Sequence, residues 1–186
     1  MEKFQQECKS LIRNLKIDTS FRRSNSLVNL ADLDHDIKGK WILGHSGDKW
    51  LNFGFVYAYN KLEFNRQYAP IFFSFIDKLC AKYNVTAAGL SWLKPMSCIP
   101  WHKDGCDRMQ YGVHYGILVP SNCCLVLKDK IITEETGKLF YFDDSDEHMA
   151  YNHSYQERVI LYMKIQFRSL EELQELISKP DYLFKN

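Results

Sequence analysis

No stretch of the 186 residues approaches the ~18 consecutive apolar positions that a membrane-crossing helix requires. The first ten residues, MEKFQQECKS, lack the apolar core of a signal peptide. A cytoplasmic chain is therefore expected, with no membrane partner. Excess charge is missing too: 24 Lys and Arg stand against 23 Asp and Glu, a net charge of +1. A balance this even gives no bulk electrostatic attraction to nucleic acid or anionic lipid, and no nucleic-acid partner is expected. Repeats, low-complexity tracts and linkers are absent, which points to one domain. None of the six cysteines (Cys8, Cys80, Cys98, Cys106, Cys123, Cys124) sits in a CxxC pair. A zinc ribbon or a disulfide framework is thus not indicated, and reduced thiols are expected.

What is present is a globular composition rich in aromatic residues, with 11 Tyr and 12 Phe, suited to a β-rich core. Phe4, Cys8, Leu11, Ile12 and Leu15 recur at helical spacing, so a helix is expected over residues 2–15. Trp41–Leu43 and Leu51–Tyr59 read as strands. Pro70 opens a helix running to Tyr83, in a first turn where its missing N–H costs least. From Val85 the texture changes to short strands. After Arg158 the positions Val159, Leu161, Met163, Ile165 and Phe167 are apolar, and those between include Tyr162, Lys164 and Gln166, so the two faces of that strand differ. Leu170–Ile177 reads as a closing helix. The fold class expected is α+β, mainly β. Residues 1–84 supply helices and strands that pack on a strand-built sandwich or barrel over 85–168, and 169–186 form a terminal helix and tail.

Four features of the C-terminal half carry chemistry. They are the HxD of Pro100-Trp101-His102-Lys103-Asp104-Gly105; His114, on a strand face between Gly112 and Gly116; the acidic run Asp143–Glu147 ending in His148; and Arg158 at the start of an apolar strand. Two histidines and one carboxylate bind Fe(II) on one face and leave the opposite positions open. His102 and Asp104, two apart, point the same way along a strand or its end, and His148 is close enough in sequence to return beside them. An arginine on so apolar a strand needs a buried anionic partner, which the distal carboxylate of 2-oxoglutarate would supply. The glycines beside His114 suggest open space there, or close approach by a ligand or another backbone. Asp143 and Asp144 either orient His148 or form a turn. Trp101 and Tyr111 are placed at the substrate mouth.

The segments LSWLKPMSCIPWHKD, VHYGILVP, FDDSDEHMAYN and RVILYMKIQF, taken in that order, resemble the aspartyl/asparaginyl β-hydroxylase family of 2-oxoglutarate oxygenases. The resemblance spans Ala88 to Phe167. It implies a double-stranded β-helix (jelly roll, cupin-like) and an enzyme, a dioxygenase that uses Fe(II), 2-oxoglutarate and O2 to hydroxylate an unactivated C–H bond. It implies that His102 and His148 hold the iron, that Arg158 grips 2-oxoglutarate, that His114 contacts a co-substrate carboxylate, and that Ser91 lies at the Arg158 end of the same pocket. The substrates it implies are small molecules or peptides: an aspartyl or asparaginyl residue, a free amino acid, or another small molecule.

The chain departs from the animal members twice. Asp104 stands where they have glycine, which makes it the expected third metal ligand. Gly112 stands where they have arginine, and Lys103 and Arg108 are the candidates to replace that cation. Two other readings fit the residues: a cupin-like metal protein without 2-oxoglutarate chemistry, which has no need of Arg158 and Ser91, and a non-catalytic jelly roll, which binds no metal.

Overall fold

A computed structural model describes residues 1–19, 37–44, 47–104 and 109–178. Residues 20–36, 45–46, 105–108 (including Cys106 and Arg108) and 179–186 lie outside the described residues.

Helix α1 (Glu2–Asn14) buries Phe4, Cys8 and Leu11, the stripe its spacing requires. Helix α2 (Pro70–Lys82) has proline at its start and buries Phe72, Phe73, Phe75, Ile76 and Leu79. Its first turn is closed from a distance. The Glu7 carboxylate on α1 accepts the backbone N–H groups of Ile71 and Phe72, each at 2.9 Å, and so pairs two donors that the helix cannot satisfy itself. The two helices also meet through Phe4 and Phe72, whose ring centroids lie 5.0 Å apart.

The strands form two sheets. After β1 (Lys16–Asp18), β2 (Lys40–Gly44), β3 (Gly47–Tyr57) and β4 (Asn60–Lys61), eight more follow: β5 (Asn84–Leu93), β6 (Ser97–His102), β7 (Gln110–Leu118), β8 (Cys123–Leu127), β9 (Lys130–Thr133), β10 (Leu139–Phe142), β11 (His148–Asn152) and β12 (Arg158–Gln166). Strand β3 stops two residues short of the expected Tyr59, because Ala58 and Tyr59 take positive φ and make the turn into β4. The larger sheet runs β1-β2-β3-β5-β12-β7-β10 and the smaller β6-β11-β8-β9.

From β5 onward the pairing is that of a single ribbon. Strand β5 pairs with β12, β6 with β11, β7 with β10 and β8 with β9, all antiparallel. The chain runs out through β5–β8, returns along itself through β9–β12, and the ribbon winds alternately through the two sheets. That winding is a double-stranded β-helix, with β1–β3 extending the larger sheet beyond β5.

Strand β12 shows how its alternation is used. Val159, Leu161, Met163 and Ile165 are buried in the core formed with α1 and α2. Arg158, Ile160, Tyr162 and Lys164 take the opposite face, toward the smaller sheet. A second, smaller apolar cluster of Leu93, Ile99, Leu125, Phe142 and Ala150 lies on that side. Helix α3 (Leu170–Ser178) follows β12 and buries Leu173 and Leu176. Among the described residues no helix is long and apolar enough to cross a membrane, and Cys8, Cys80, Cys98, Cys123 and Cys124 are free thiols.

Candidate metal and carboxylate site

Pairing places His148 directly opposite His102, at the end of β6. The register between these strands shifts: His148 and Ala150 are two apart, while their partners His102 and Ile99 are three apart. One extra residue in β6 makes a bulge, and the bulge turns His102 to the same side as Ile99. Pro100 lies in the irregular stretch on an edge strand, where its missing N–H is tolerated.

Each histidine is then fixed by its own backbone. His102 Nδ1 lies 2.7 Å from the Pro100 carbonyl and His148 Nδ1 lies 2.8 Å from the Asp146 carbonyl. A carbonyl only accepts, so both Nδ1 atoms carry the proton and donate it, which leaves both Nε2 lone pairs available to a metal. Burial also lowers the proton affinity of His148 below the ordinary histidine range. The two rings are 4.2 Å apart between centroids. Asp104 completes the group: one ligand atom from each of His102, Asp104 and His148 falls within 4.8 Å of the others. Three such donors converging from two strands and a strand end fit a facial metal site.

Asp104 lies just beyond β6, and its position is set from the side of β12. Its backbone N–H donates to the Asp144 carbonyl at 2.9 Å. The Tyr162 hydroxyl lies 3.1 Å from the Asp144 carboxylate and 3.4 Å from that of Asp104. Burial, with these carboxylates adding to it, holds the Tyr162 proton well above the usual phenol range, so Tyr162 remains a donor. Asp144 is fully buried and pairs with Lys164 at 3.0 Å. Of the two readings of Asp143 and Asp144, orienting His148 is not the one found, since the Asp146 carbonyl binds His148 Nδ1. Asp143 instead closes a local turn by accepting from the Ser145 N–H and hydroxyl.

A cavity of about 110 Å³ joins the three candidate ligands to Ser91, His114 and Arg158. Ser91 accepts a hydrogen bond from the Trp50 indole N–H at 2.9 Å. Arg158 is fully buried, but its anionic partner is a residue that sequence reasoning missed. Glu134 receives Arg158 Nε at 2.7 Å and Nη2 at 2.5 Å. It also receives His114 Nδ1 at 3.0 Å. Arg158 Nη1 is buried without a hydrogen-bond partner among the described residues. Burial alone would raise the proton affinity of Glu134; Arg158 and His114 outweigh it and bring its pKa down to about 2. Burial lowers that of His114, only partly offset by Glu134.

The glycines flanking His114 do not leave it open space. A Cβ on Gly116 would sit 2.1 Å from the Glu135 carbonyl oxygen, and one on Gly112 would sit 2.9 Å from the Phe142 ring. At Gly116 the neighbour is backbone. Residues 134–138 cross β7 there, held by Gly116 N–H to Lys138 and Gly137 N–H to Gly116, and this crossing delivers Glu134 to Arg158. At Gly112 the cross-strand partner is Lys164. Among the described residues the cation beside that position is Lys164, while Lys103 is exposed and Arg108 lies outside the described residues. Trp101 and Tyr111 do not line the cavity: Trp101 is half exposed and Tyr111 packs on Tyr141 and Phe167. Tyr162 and Lys164 were within reach of sequence reasoning, since both share the β12 face with Arg158.

Comparison with known proteins gives the family of the chain. The sequence profile of the aspartyl/asparaginyl beta-hydroxylase family matches residues 5–167. The chain is 24% identical over 144 residues to the ornithine lipid ester-linked acyl 2-hydroxylase of Rhizobium tropici, covering 76% of this chain and 48% of that protein. The chain thus spans about half the length of that curated relative. Among solved structures, KdgF from Halomonas aligns with a TM-score of 0.43 at 8% identity, over 69% of this chain and 89% of that one. A cupin domain from Bordetella pertussis aligns with a TM-score of 0.35 at 19% identity, over 44% and 81%. At these scores the strand order, not the likeness, defines the fold.

Proposed function

The chain belongs to the aspartyl/asparaginyl beta-hydroxylase family, and on that premise we propose that it is an Fe(II)- and 2-oxoglutarate-dependent dioxygenase hydroxylating an unactivated C–H bond. The observation that carries this reading is one cavity holding both halves of the chemistry. His102, Asp104 and His148 line it together with Arg158, whose buried Nη1 has no hydrogen-bond partner among the described residues. A metal protein that dispenses with 2-oxoglutarate has no need for a buried guanidinium beside its ligands.

The residues fit the groups they would hold. His102 and His148 offer Nε2 because their Nδ1 protons are committed to backbone carbonyls. Asp104 offers its carboxylate from a backbone pinned to Asp144. Fe(II), when bound with 2-oxoglutarate and O2, supplies the oxidative chemistry that no side chain can. Arg158 and the Ser91 hydroxyl take the distal carboxylate of 2-oxoglutarate and fix its orientation before the reaction. His114, with Nδ1 bound to Glu134, turns its second nitrogen toward the co-substrate. Trp50, Ile99 and Leu125 supply apolar wall that limits water at the reacting centre. The substrate is a small molecule or peptide: an aspartyl or asparaginyl residue, a free amino acid or another small molecule, to which the Rhizobium relative adds a lipid acyl group.

Anaerobic titration tests this reading. Fe(II) is expected to bind one per chain, and subsequent 2-oxoglutarate to produce the visible charge-transfer absorption of a chelated iron. Asp104→Ala is expected to weaken Fe(II) at least about tenfold, and His148→Ala to abolish the absorption. Fe(II) binding without any response to 2-oxoglutarate would favour a cupin-like metal protein of other chemistry. Failure to bind Fe(II) at all would favour a non-catalytic jelly roll.

A further inference from the structure

An arginine has five N–H donors arranged along two usable edges. In Arg158 the side edge, Nε with Nη2, is taken by both oxygens of Glu134. The end edge, Nη1 with the second hydrogen of Nη2, is the one without a partner at Nη1. Arg158 lines the cavity and Glu134 does not. Glu134 therefore holds the side edge from outside the cavity lining, and the end edge is the one left for a ligand.

Glu134 is held firmly in that place. Its N–H donates to the Cys123 carbonyl at 2.9 Å, its side chain is almost wholly buried, and the segment after it is locked across Gly116 by the backbone crossing described above. The low proton affinity given it by Arg158 and His114 keeps it ionised through the neutral range. Arg158 is thus neutralised before any ligand arrives. A second carboxylate on the end edge gains the hydrogen bonds of Nη1 but meets a charge-balanced pair, with a like charge a few ångströms behind it.

We propose that Glu134 is a specificity-determining residue, a built-in counter-charge to Arg158 that lowers the preference of the pocket for dicarboxylic over monocarboxylic 2-oxo acids. It leaves the end edge of Arg158 to supply orientation, while the attraction of a bare cation is withheld. The inference takes its 2-oxo ligand from the oxygenase reading above. The part that concerns the carboxylate rests only on Glu134, Arg158 and the cavity.

Glu134→Gln removes the charge at nearly constant shape, and Glu134→Asp keeps it. Two measurements separate the outcomes. In the first, Fe(II)-loaded protein is titrated anaerobically with 2-oxoglutarate and with 2-oxopentanoate, which lacks the distal carboxylate. Glu134→Gln is expected to raise the ratio of the two affinities in favour of the diacid by about tenfold, the scale of removing one buried like charge. Glu134→Asp is expected to stay near the wild-type ratio. A residue needed only for folding would lower both affinities together and leave the ratio unmoved, and that result, or a fall in the ratio, would overturn the proposal.

In the second, metal-free protein is melted with glutarate and with pentanoate. Glutarate is expected to raise the melting temperature of Glu134→Gln more than that of wild type, and pentanoate to distinguish them little. A Glu134→Gln chain that stays unfolded even with glutarate present would also overturn the proposal. If neither protein binds a 2-oxo acid with Fe(II), yet glutarate selectively stabilises the variant, the oxygenase reading falls and the role of Glu134 stands. If glutarate has no selective effect, the role of Glu134 falls whatever the iron titration gives.

Discussion

A histidine serves a metal only when its other nitrogen has somewhere to send its proton. His102 and His148 meet this condition in the same way, each donating Nδ1–H to the carbonyl two residues before it. The geometry comes from the local chain and needs no carboxylate, so the acidic run before His148 is free for other work. Asp144 takes its share through Lys164 and Tyr162. Burial also sets the pH response. His148 and His114 have proton affinities depressed in the folded state, while in the unfolded chain they titrate near ~6.5. A depressed folded value means that the unfolded chain takes up protons first. The stability these groups contribute is therefore complete above ~6.5 and is lost as pH falls through their folded values. Glu7 and Asp144, raised by burial, act in the opposite sense, so the comparison must isolate the histidine. The melting temperature of metal-free protein is expected to fall between about pH 7.5 and about pH 5.5, by less in His148→Gln than in wild type. Equal falls in the two proteins would contradict the burial argument.

At the scale of elements, two irregularities build the site. The bulge in β6 turns His102 inward beside Ile99, and the crossing of residues 134–138 over Gly116 brings Glu134 to Arg158. Gly116→Ala tests the second. Its Cβ would meet the Glu135 carbonyl oxygen at 2.1 Å, a backbone atom that cannot rotate away. A loss of about 1–3 kcal/mol in unfolding free energy is expected, as for other overpacked sites. A change near zero would mean that the segment is not held there. These irregularities also mark the limit of what the sequence conveys. The apolar alternation of β12, the helical stripes of α1 and α2, and the order HxD, His, acidic-His, Arg are all patterns along the chain. A bulge, by contrast, exists only between strands, because it is an unequal count against a partner. Glu134 and Glu135 are adjacent and chemically identical in the sequence. Only the backbone crossing at Gly116 selects the first of them for Arg158. For the same reason the glycines beside His114 spoke of close approach without saying that backbone, and not ligand, fills one side.

For the whole molecule, the winding of β5–β12 brings residues from distant parts of the chain around one cavity. The smaller sheet carries His102 and His148, and the larger carries Ser91, His114, Tyr162 and Arg158. The site therefore exists only when the two sheets are packed, and the helices on the outer face of the larger sheet support it through the core they share with β12. The strands before β5 also take part: β3 provides Trp50, which bonds Ser91, and Asn52, which lines the cavity. The most direct test of the oxygenase assignment is succinate formation from 2-oxoglutarate by the purified protein with Fe(II), O2 and ascorbate, run without an added substrate and repeated with His102→Ala/His148→Ala. Turnover by the wild type that disappears in the double variant is the expected result. Succinate formed equally by both proteins, or by neither even when substrates of the proposed classes are supplied, would contradict the assignment.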